Sequence, residues 1–354
     1  MHSFVYNGLP GRVVFGSGTR RQLKAEIEQA GCRRALLLGT PEQKASVEEL
    51  AASLGELAAG LFAEAAMHTP VDVTERALQK VKEVQADCTV ALGGGSTTGL
   101  GKAIALRTDL PQFVIPTTYA GSEMTPIIGE TKDGAKTTQR TLKVLPEVVI
   151  YDVDLTLTLP PKLSATSGMN AIAHAVEALY AQDRNPVMSL MAEEAIRALG
   201  RALPVIVADP KNLEARSDAL YGAWLCGMCL GSVGMALHHK LCHVLGGSFD
   251  LPHAETHTVV LPHAFAYNAA ATPEAAERIA RALGGKNAAL DLFELSGKLD
   301  APRSLKDLGM PEAGIEKAAD IAVRNPYWNP RPIERNAIRD LIARAWAGET
   351  PVQS

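Results

Sequence analysis

The chain has 354 residues, a formal net charge of −4, and 47% hydrophobic against 21% charged residues, as expected for a globular protein of about two domains. It has no basic cluster and no apolar run near the roughly 20 residues of a membrane span, so neither nucleic acid nor membrane is an expected partner. Five scattered cysteines and a start without an apolar leader favour the cytoplasm.

The first 157 residues alternate short apolar runs, typical of buried strands, with stretches of helical periodicity. The predicted strands are 12–16, 34–39, 60–65, 88–95, 113–118 and 148–152, and the predicted helices are 19–31, 41–54, 72–86 and 96–107. Strands that alternate with helices indicate a parallel sheet covered on both faces. We therefore predict an α/β nucleotide-binding domain with a Rossmann-like parallel sheet over residues 1–157.

From residue 158 to residue 354 the pattern is helical, which predicts an all-α C-terminal domain. The predicted helices are 162–182, 186–203, 211–230, 234–247, 274–283, 311–323 and 333–346. The first of them follows LPPKLSATSG, whose prolines and small residues are typical of a helix start. Cys226 and Cys229 form a C-x-x-C, which we interpret as two core residues because a zinc site would need a second pair.

The segment CTVALGGGSTTGLGKAIAL has the pattern of a buried strand, a glycine turn and a helix. Glycines let a ligand approach the backbone, and the first N–H groups of a helix favour a phosphate. The turn is not a P-loop, since Lys102 is followed by Ala103, and Thr98 replaces the third glycine of the usual dinucleotide fingerprint. A purely structural turn is the alternative. The candidate phosphate-binding residues are Gly94, Gly95, Ser96 and Thr97.

Further polar residues follow two other predicted strands. The strand 113–118 continues into IPTTYAGSEMT, which places hydroxyl groups where ligands bind in open α/β sheets. The candidate cofactor residues are Thr117, Thr118 and Ser122 in this segment, and Gly39 and Thr40 at the end of the second strand.

Six of the nine histidines lie between residues 238 and 263, and their density places the chemistry in the helical domain. In HHKLCHVLGGSFDLPH, His239 and His243 are one helical turn apart, and His253 follows 14 residues after His239. Isolated histidines are mostly structural, and we interpret three of the six in that way. These are His238, His257 and His263.

Four segments together resemble the iron-containing (group III) alcohol dehydrogenases. They are LGGGSTTGLGKAIA, IPTTYAGSEMT, VVIYDVDLTLTLPPKLSATSGMNAIAHAVEA and HHKLCHVLGGSFDLPHAETHTVVLPHAFAYN, and the resemblance is collinear over nearly the whole chain. It implies a nucleotide-binding α/β domain followed by a helical metal-binding domain, which agrees with the predicted elements. It also implies an NAD(P)-dependent oxidoreductase and a homodimer.

The resemblance assigns roles to single residues. In the family four side chains hold a metal, and their positions here are Asn170, His174, His239 and His253. The family's histidine beside the nicotinamide and the substrate corresponds to His243, and its lysine at the nicotinamide ribose corresponds to Lys136. The glycine turn corresponds to Gly94, Gly95 and Ser96, and the adenine side to Thr117 and Thr118.

The chain departs from the family pattern at the first metal ligand, where Asn170 replaces an aspartate. A neutral amide oxygen is a poor substitute for a carboxylate on Fe²⁺ or Zn²⁺, although three imidazoles can still hold zinc. We therefore expect no metal. The family's aspartate three residues after Ser96 is Gly99 here. GTPEQ (39–43) replaces the carboxylate that follows the second strand in relatives and disfavours NADPH there, so NADPH stays possible beside the expected NADH.

Asn170 and the tail RNPYWNPRPIERNAIRDLI (324–342) resemble the branch of the family that reduces the carbon–carbon double bond of maleylacetate to give 3-oxoadipate in aromatic-ring breakdown. That double bond is conjugated to a ketone, so hydride can add β to the ketone while hydrogen-bond donors stabilise the enolate. We expect His243 and His253 to be the proton donor and the oxyanion donor, in either order. Three further catalytic residues would shape the former metal pocket and bind a carboxylate, and these are Asn170, His174 and His239. Cations for the dianionic substrate would come from the histidines and Lys240, or from Arg324 or Arg331.

Three alternatives stay open at this point. The first is a metal-dependent alcohol or polyol dehydrogenase of the same family. The second is a binding or sensory protein that has kept the fold and lost catalysis. The third is a lyase related to dehydroquinate synthase, which should keep the acidic metal ligand that Asn170 replaces.

Overall fold

The computed structural model describes residues 3–324 and 326–352, with every side chain in them except that of Lys136. The chain divides into two compact units. The N-terminal unit comprises Gly8–Leu159, and the C-terminal unit comprises 160–352 together with 3–7. The division at Leu159 lies two residues after the boundary predicted at residue 157.

A six-stranded parallel sheet forms the centre of the N-terminal unit, in the order β1-β8-β5-β4-β2-β3. Its strands are β1 (Arg12–Gly16), β2 (Ala35–Leu38), β3 (Ala58–Phe62), β4 (Cys88–Gly93), β5 (Gln112–Pro116) and β8 (Val148–Asp152). Strands β2, β4, β5 and β8 are buried along their whole length, as expected of parallel strands between two helical layers. The predicted α/β class is confirmed.

Helices cover both faces of this sheet. On one face α1 (Leu23–Gln29) and α2 (Lys44–Leu54) pack on the core that contains Leu37, Val90 and Ile150. On the other face α3 (Val71–Glu83) and α4 (Gly95–Thr108) pack on the alternate side chains of the same strands. The helices α1 and α2 are shorter than predicted, because the turns before them are 3₁₀ rather than α-helical.

An antiparallel hairpin follows β5 and the polar segment after it, and the sequence analysis did not predict it. It pairs β6 (Ile127–Lys132) with β7 (Ala135–Arg140). Asp133 and Gly134 form its two-residue turn with φ of 51° and 76°. Two positive φ values are the requirement of the tight hairpin turn for which Asp-Gly is a common sequence. The D-G signal was therefore present in the sequence.

The C-terminal unit is helical throughout its regular structure in the described residues. Its helices are α5 (Pro161–Ala178), α6 (Pro186–Ala208), α7 (Leu213–Ser232), α8 (Leu237–Phe249), α9 (His253–Asn268), α10 (Pro273–Leu283), α11 (Ala288–Lys298), α12 (Gly314–Arg324) and α13 (Arg335–Ala347). Asparagine side chains cap three of them at Asn185, Asn212 and Asn287. The predicted all-α class is confirmed.

Two helices, α9 and α11, were missing from the prediction. Helix α9 is buried at every residue from Thr256 to Asn268, so it has no polar face and no stripe of period 3.6. It also contains Pro262, which counts against a helix in a sequence reading. Among the described residues, no single helix is both long and apolar enough to span a membrane. Helices α7 and α8 reach that length and apolarity only together, and the chain bends by 94° between them.

Glu193 of α6 is the centre of an ion cluster that joins α6 to α10. Its carboxylate lies 2.8–3.0 Å from the guanidinium nitrogens of Arg197, Arg278 and Arg281. Hydrogen bonding from Arg281, assisted by Arg278, lowers the pKa of Glu193 to about 2. Because the folded-state pKa is depressed, this stabilisation is present above the unfolded pKa and is lost as the pH falls from about 4.5 towards 2.

The change Glu193→Gln is expected to lower the free energy of unfolding by about 2 kcal/mol at pH 7, since the arginines are partly exposed and screened. The difference from the wild type should shrink as the pH approaches 3. Urea unfolding at the two pH values measures it. Glu274→Gln is the matched control, because Glu274 contacts Arg278 from the surface. An equal difference at both pH values would contradict the role assigned to the cluster.

Candidate active site

The predicted cofactor residues of the N-terminal unit lie at the carboxyl ends of three neighbouring strands. Gly39 and Thr40 follow β2, the glycine turn follows β4, and Thr117 and Thr118 follow β5. The amide of Gln43 donates to Thr117 Oγ1 at 3.2 Å, which joins the first and third of these segments. A Cβ on Gly94 would lie 3.0 Å from Thr118 Cγ2, so the second and third also touch.

The backbone of the glycine turn requires glycine at Gly93, a position that the sequence analysis did not single out. Its φ is 154°, and a Cβ there would overlap Gln43 Oε1 and Thr97 Oγ1. Gly94 then caps α4 and Gly95 begins it, so the first N–H groups of α4 face the end of the sheet. Helix starts of this kind bind phosphate.

Lys102 holds the segment that contains Ser122. Its amine is fully buried and lies 2.6–2.9 Å from four oxygens, which are the carbonyls of Ser122, Thr125 and Ile127 and the hydroxyl of Thr125. Burial lowers the pKa of Lys102 to about 7, and Glu123 counters that shift. The four oxygens favour the protonated amine. Lys102 is thus committed to this segment, while the side chain of Lys136, the predicted ribose contact, lies outside the described residues.

A separate group of residues in the C-terminal unit comes from three helices. Helix α5 carries Asn170 and His174 on one face, helix α8 carries His239, and helix α9 begins at His253. The rings of His174 and His239 have centroids 5.2 Å apart. Burial lowers the pKa of both rings well below its usual value, so both are neutral. The structure thus brings together the first three predicted ligand positions.

Glu177, one turn after His174, is a fully buried carboxylate that the sequence analysis did not assign a role. It accepts from the backbone N–H groups of Ala236 and His238 at 2.8 Å and from His239 Nδ1 at 2.7 Å. Donors on both oxygens favour the ionised form, although burial raises the pKa of Glu177. A ring that donates from Nδ1 keeps its lone pair on Nε2, so Glu177 fixes His239 as an acceptor or ligand at Nε2.

Three buried polar atoms in this group, each a potential metal-donor atom, have no hydrogen-bond partner among the described residues. They are Asn170 Oδ1, His174 Nδ1 and His239 Nε2. Buried polar atoms are normally paired, so these positions suit a bound species. A carboxylate behind a histidine is also the usual support of a metal ligand. These three atoms therefore fit a divalent metal, although all three ligands are neutral. They do not support the prediction that the protein holds no metal.

The structure distinguishes among the histidines that we interpreted as structural. His238 has partners, since Nε2 lies 3.1 Å from the carbonyl of His257. His257 is buried with both ring nitrogens unpartnered in the described residues, so a purely structural role explains it poorly. His238, His239 and His257 each have a ring nitrogen within 4.8 Å of the others, so these three could also hold a metal ion. They differ from the three histidines predicted as metal ligands, of which they share only His239. His263 packs edge-on against Phe293.

His243 and His253 are exposed on the C-terminal unit, unlike the ring of His239. Nδ1 of His243 lies 3.0 Å from the hydroxyl of Tyr327, a tail residue that the sequence analysis passed over. The ammonium of Lys240 lies 5.5 Å from the centroid of the same tyrosine ring. A cation, an imidazole and a phenol therefore lie together at the surface, where they can bind an anionic substrate.

The two arginines of the tail that were predicted as cations for the substrate, Arg324 and Arg331, have different surroundings. Arg331 stacks 4.1 Å from the ring of Tyr267 and donates to the Tyr267 carbonyl at 3.0 Å. These contacts fix the tail, and the role of Arg331 as a cation for the substrate stays a prediction. Arg324 ends α12 and is exposed.

Glu177→Gln is expected to lower the free energy of unfolding by about 2 kcal/mol, because an amide nitrogen would face donors that now meet a carboxylate. The change should also let the His239 ring exchange between its two tautomers. Urea unfolding measures the first effect, and ¹⁵N spectra of labelled histidine measure the second. Glu294→Gln, an exposed change on α11, is the control and should alter neither. An unchanged His239 tautomer in the Glu177 variant would contradict this assignment.

A cavity of about 450 Å³ lies in the N-terminal unit beside the end of β4. Its lining includes the cations Arg20, Arg21 and Lys24 and the apolar side chains of Leu92 and Leu155. The lining also includes Glu49, so its cations outnumber its carboxylates, which suits a ligand with an anionic group. The sequence analysis missed these residues because they come from three separate segments.

Comparison with known proteins connects the two units to one family. The family described as iron-containing alcohol dehydrogenase matches residues 10–153, and the C-terminal part of the Fe-containing alcohol dehydrogenase family matches residues 164–346. A maleylacetate reductase of Sphingobium indicum is 60% identical over 99% of both chains, and one of Rhizobium sp. is 57% identical over 99% of this chain and all of the relative. The crystal structure of maleylacetate reductase from Agrobacterium tumefaciens superposes with a TM-score of 0.97 at 57% identity, covering 99% of this chain and all of that one. The chain is therefore an oxidoreductase of the iron-containing alcohol dehydrogenase family.

Proposed function

We propose that this protein reduces the carbon–carbon double bond of maleylacetate to give 3-oxoadipate, with NADH or NADPH as the hydride donor. The proposal is supported by 57–60% identity, over nearly the full length, to relatives named maleylacetate reductase. The main support is the similarity to maleylacetate reductases over the full length of the chain, together with the histidine rings that lie around Glu177. A homodimer and a cytoplasmic location stay predictions.

The proposed reaction adds hydride from C4 of the nicotinamide to the carbon β to the ketone. The electron pair of the double bond moves towards the ketone, so negative charge develops on the ketone oxygen as an enolate. A hydrogen-bond donor stabilises that oxygen, and a proton then reaches the α carbon to complete the reduction. We assign these two tasks to His243 and His253, in either order, because both are exposed and lie beside buried rings. The centroid of the His243 ring is 6.4 Å from that of His239, and the centroid of the His253 ring is 4.3 Å from that of His257.

The substrate carries two carboxylates, and the C-terminal unit offers a place for one of them. Lys240, His243 and Tyr327 lie together, as the 3.0 Å and 5.5 Å contacts described above show. An ammonium can bind a carboxylate through charge-assisted hydrogen bonds. We propose that Lys240 takes this carboxylate and so holds the substrate beside His243.

The family name includes iron, and the unpartnered donors suit a divalent metal, so a metal enters the proposal. Asn170, His174 and His239 would hold it, with Glu177 supporting His239. A bound divalent ion would supply Lewis-acid polarisation of the ketone. The proton transfers assigned to the exposed histidines are needed with or without it.

The choice between NADH and NADPH concerns the N-terminal unit. No carboxylate stands at 39–41 to repel a 2′-phosphate, and the cavity near the end of β4 carries Arg20, Arg21 and Lys24. Because no carboxylate at these positions repels the 2′-phosphate, we propose that both NADH and NADPH are accepted.

The test of the function is consumption of NADH with maleylacetate, before and after treatment of the purified protein with a chelator, with metal content measured in parallel. We expect maleylacetate-dependent oxidation of NADH and 3-oxoadipate as the product. The alternative is a metal-dependent alcohol dehydrogenase, which the unpartnered donors also suit. Oxidation of a simple alcohol by the metal-loaded protein, with no reduction of maleylacetate, would replace the proposal by that alternative.

A further inference from the structure

The tail that follows α12 is fixed to the end of α9 by a pair of amides. Asn329 Nδ2 donates to Asn268 Oδ1 at 2.7 Å, and Asn268 Nδ2 donates to Asn329 Oδ1 at 2.9 Å. Asn268 is fully buried, so the pair is shielded from water. Reciprocal bonds between two amides fix the position of both side chains.

Tyr267, the neighbour of Asn268, holds the next part of the tail. Its ring lies under the guanidinium of Arg331 at 4.1 Å, its carbonyl accepts from Arg331 at 3.0 Å, and its hydroxyl donates to the carbonyl of Pro332. Together with the amide pair, these contacts anchor the tail at Asn329 and at the residues Arg331 and Pro332 that follow it. The segment before Asn329 therefore has a defined position on the C-terminal unit.

That position puts the hydroxyl of Tyr327 3.0 Å from Nδ1 of His243, with the two rings in an edge-on arrangement. Burial and the charge of Glu177 raise the pKa of Tyr327, so its phenol stays protonated near neutral pH. A protonated phenol has a proton to donate, and the imidazole Nδ1 can accept it. In the neutral ring the remaining proton is then on Nε2.

We propose that Tyr327 is a positioning residue that holds His243 as its Nε2–H tautomer and so presents an N–H donor to the substrate. The inference deepens the proposed function and rests on it, because it assumes that His243 serves the reduction. Its structural basis is the anchored tail, which brings the phenol of Tyr327 to the ring of His243 on α8, 84 residues away in the sequence. Without the phenol, Nδ1 would lose the O–H donor that favours this tautomer.

The test compares the wild type with Tyr327→Phe, which removes one hydroxyl and keeps the ring. Spectra of ¹⁵N-labelled histidine identify the tautomer of His243, with the signal assigned by its loss in His243→Gln. We expect the Nε2–H form in the wild type and a mixture in the variant. With maleylacetate, kcat should fall about 10- to 100-fold while the KM for NADH stays within about twofold.

Two further variants complete the design. Asn329→Ala releases the tail and should shift the tautomer in the same direction, whereas Tyr221→Phe, a change on α7 outside this group, should leave tautomer and kcat unchanged. Identical tautomers in the wild type and the Tyr327 variant, or an unchanged kcat, would overturn the proposal. The spectra need no substrate, so a wild type that fails to reduce maleylacetate would refute the proposed function while the tautomer measurement still decides the contact.

Discussion

Replacing His243 with alanine is expected to lower kcat for maleylacetate by about 10²- to 10⁴-fold, the range typical of losing a general acid or an oxyanion donor. Binding of NADH should persist, because the predicted cofactor residues belong to the N-terminal unit. Stability should change little, since the ring is exposed. Steady-state kinetics, fluorescence titration with NADH and urea unfolding measure the three quantities.

The control for this experiment is His68→Asn. His68 is exposed in the N-terminal unit and has a φ of 64°, which asparagine tolerates. It should keep the turnover of the wild type. If His243→Ala also turned over at the rate of the wild type, His243 would have no part in the proton transfer.

Replacing Lys102 with methionine is expected to lower the free energy of unfolding by about 3–5 kcal/mol. Methionine approximates the length of lysine and supplies no donor, so the four oxygens around the amine would lose their charged hydrogen-bond donor. The segment that carries Ser122 would lose its anchor, so the Kd for NADH should also rise. Urea unfolding and NADH titration measure the two effects.

The matched control is Lys143→Met, because Lys143 is exposed and its ammonium forms a long ion pair of 3.7 Å with Asp109. Exposed pairs contribute little, so the change should cost less than about 1 kcal/mol. Equal stability of the two variants would mean that the buried amine does not hold the segment together.

The class of each unit could be predicted because local patterns reflect it. Strands such as β2 and β4 are buried on both faces and are continuous apolar runs in the sequence. Amphipathic helices such as α3 and α10 were predicted for the same reason, since each has one buried stripe. Helix α9 was missed because burial on all sides removes that pattern.

The candidate site was predicted in part, and the limit is again physical. Clustered histidines and glycines are visible as spacing along the chain. The partners of those residues are not, because they come from distant segments: Glu177 is 62 residues from His239, and Tyr327 is 84 residues from His243. Both lie in segments that the sequence analysis quoted, yet only the packing of α5, α8 and the tail shows which side chain meets which ring.

The most direct test of the account is the fate of the hydride when the wild type reduces maleylacetate with NADH deuterated at the transferred position of C4. Nuclear magnetic resonance of the product gives the position of the label. Addition to the conjugated double bond places deuterium on the carbon β to the ketone of 3-oxoadipate. Deuterium on a carbinol carbon would show that the ketone itself is reduced, and it would contradict the proposed reaction.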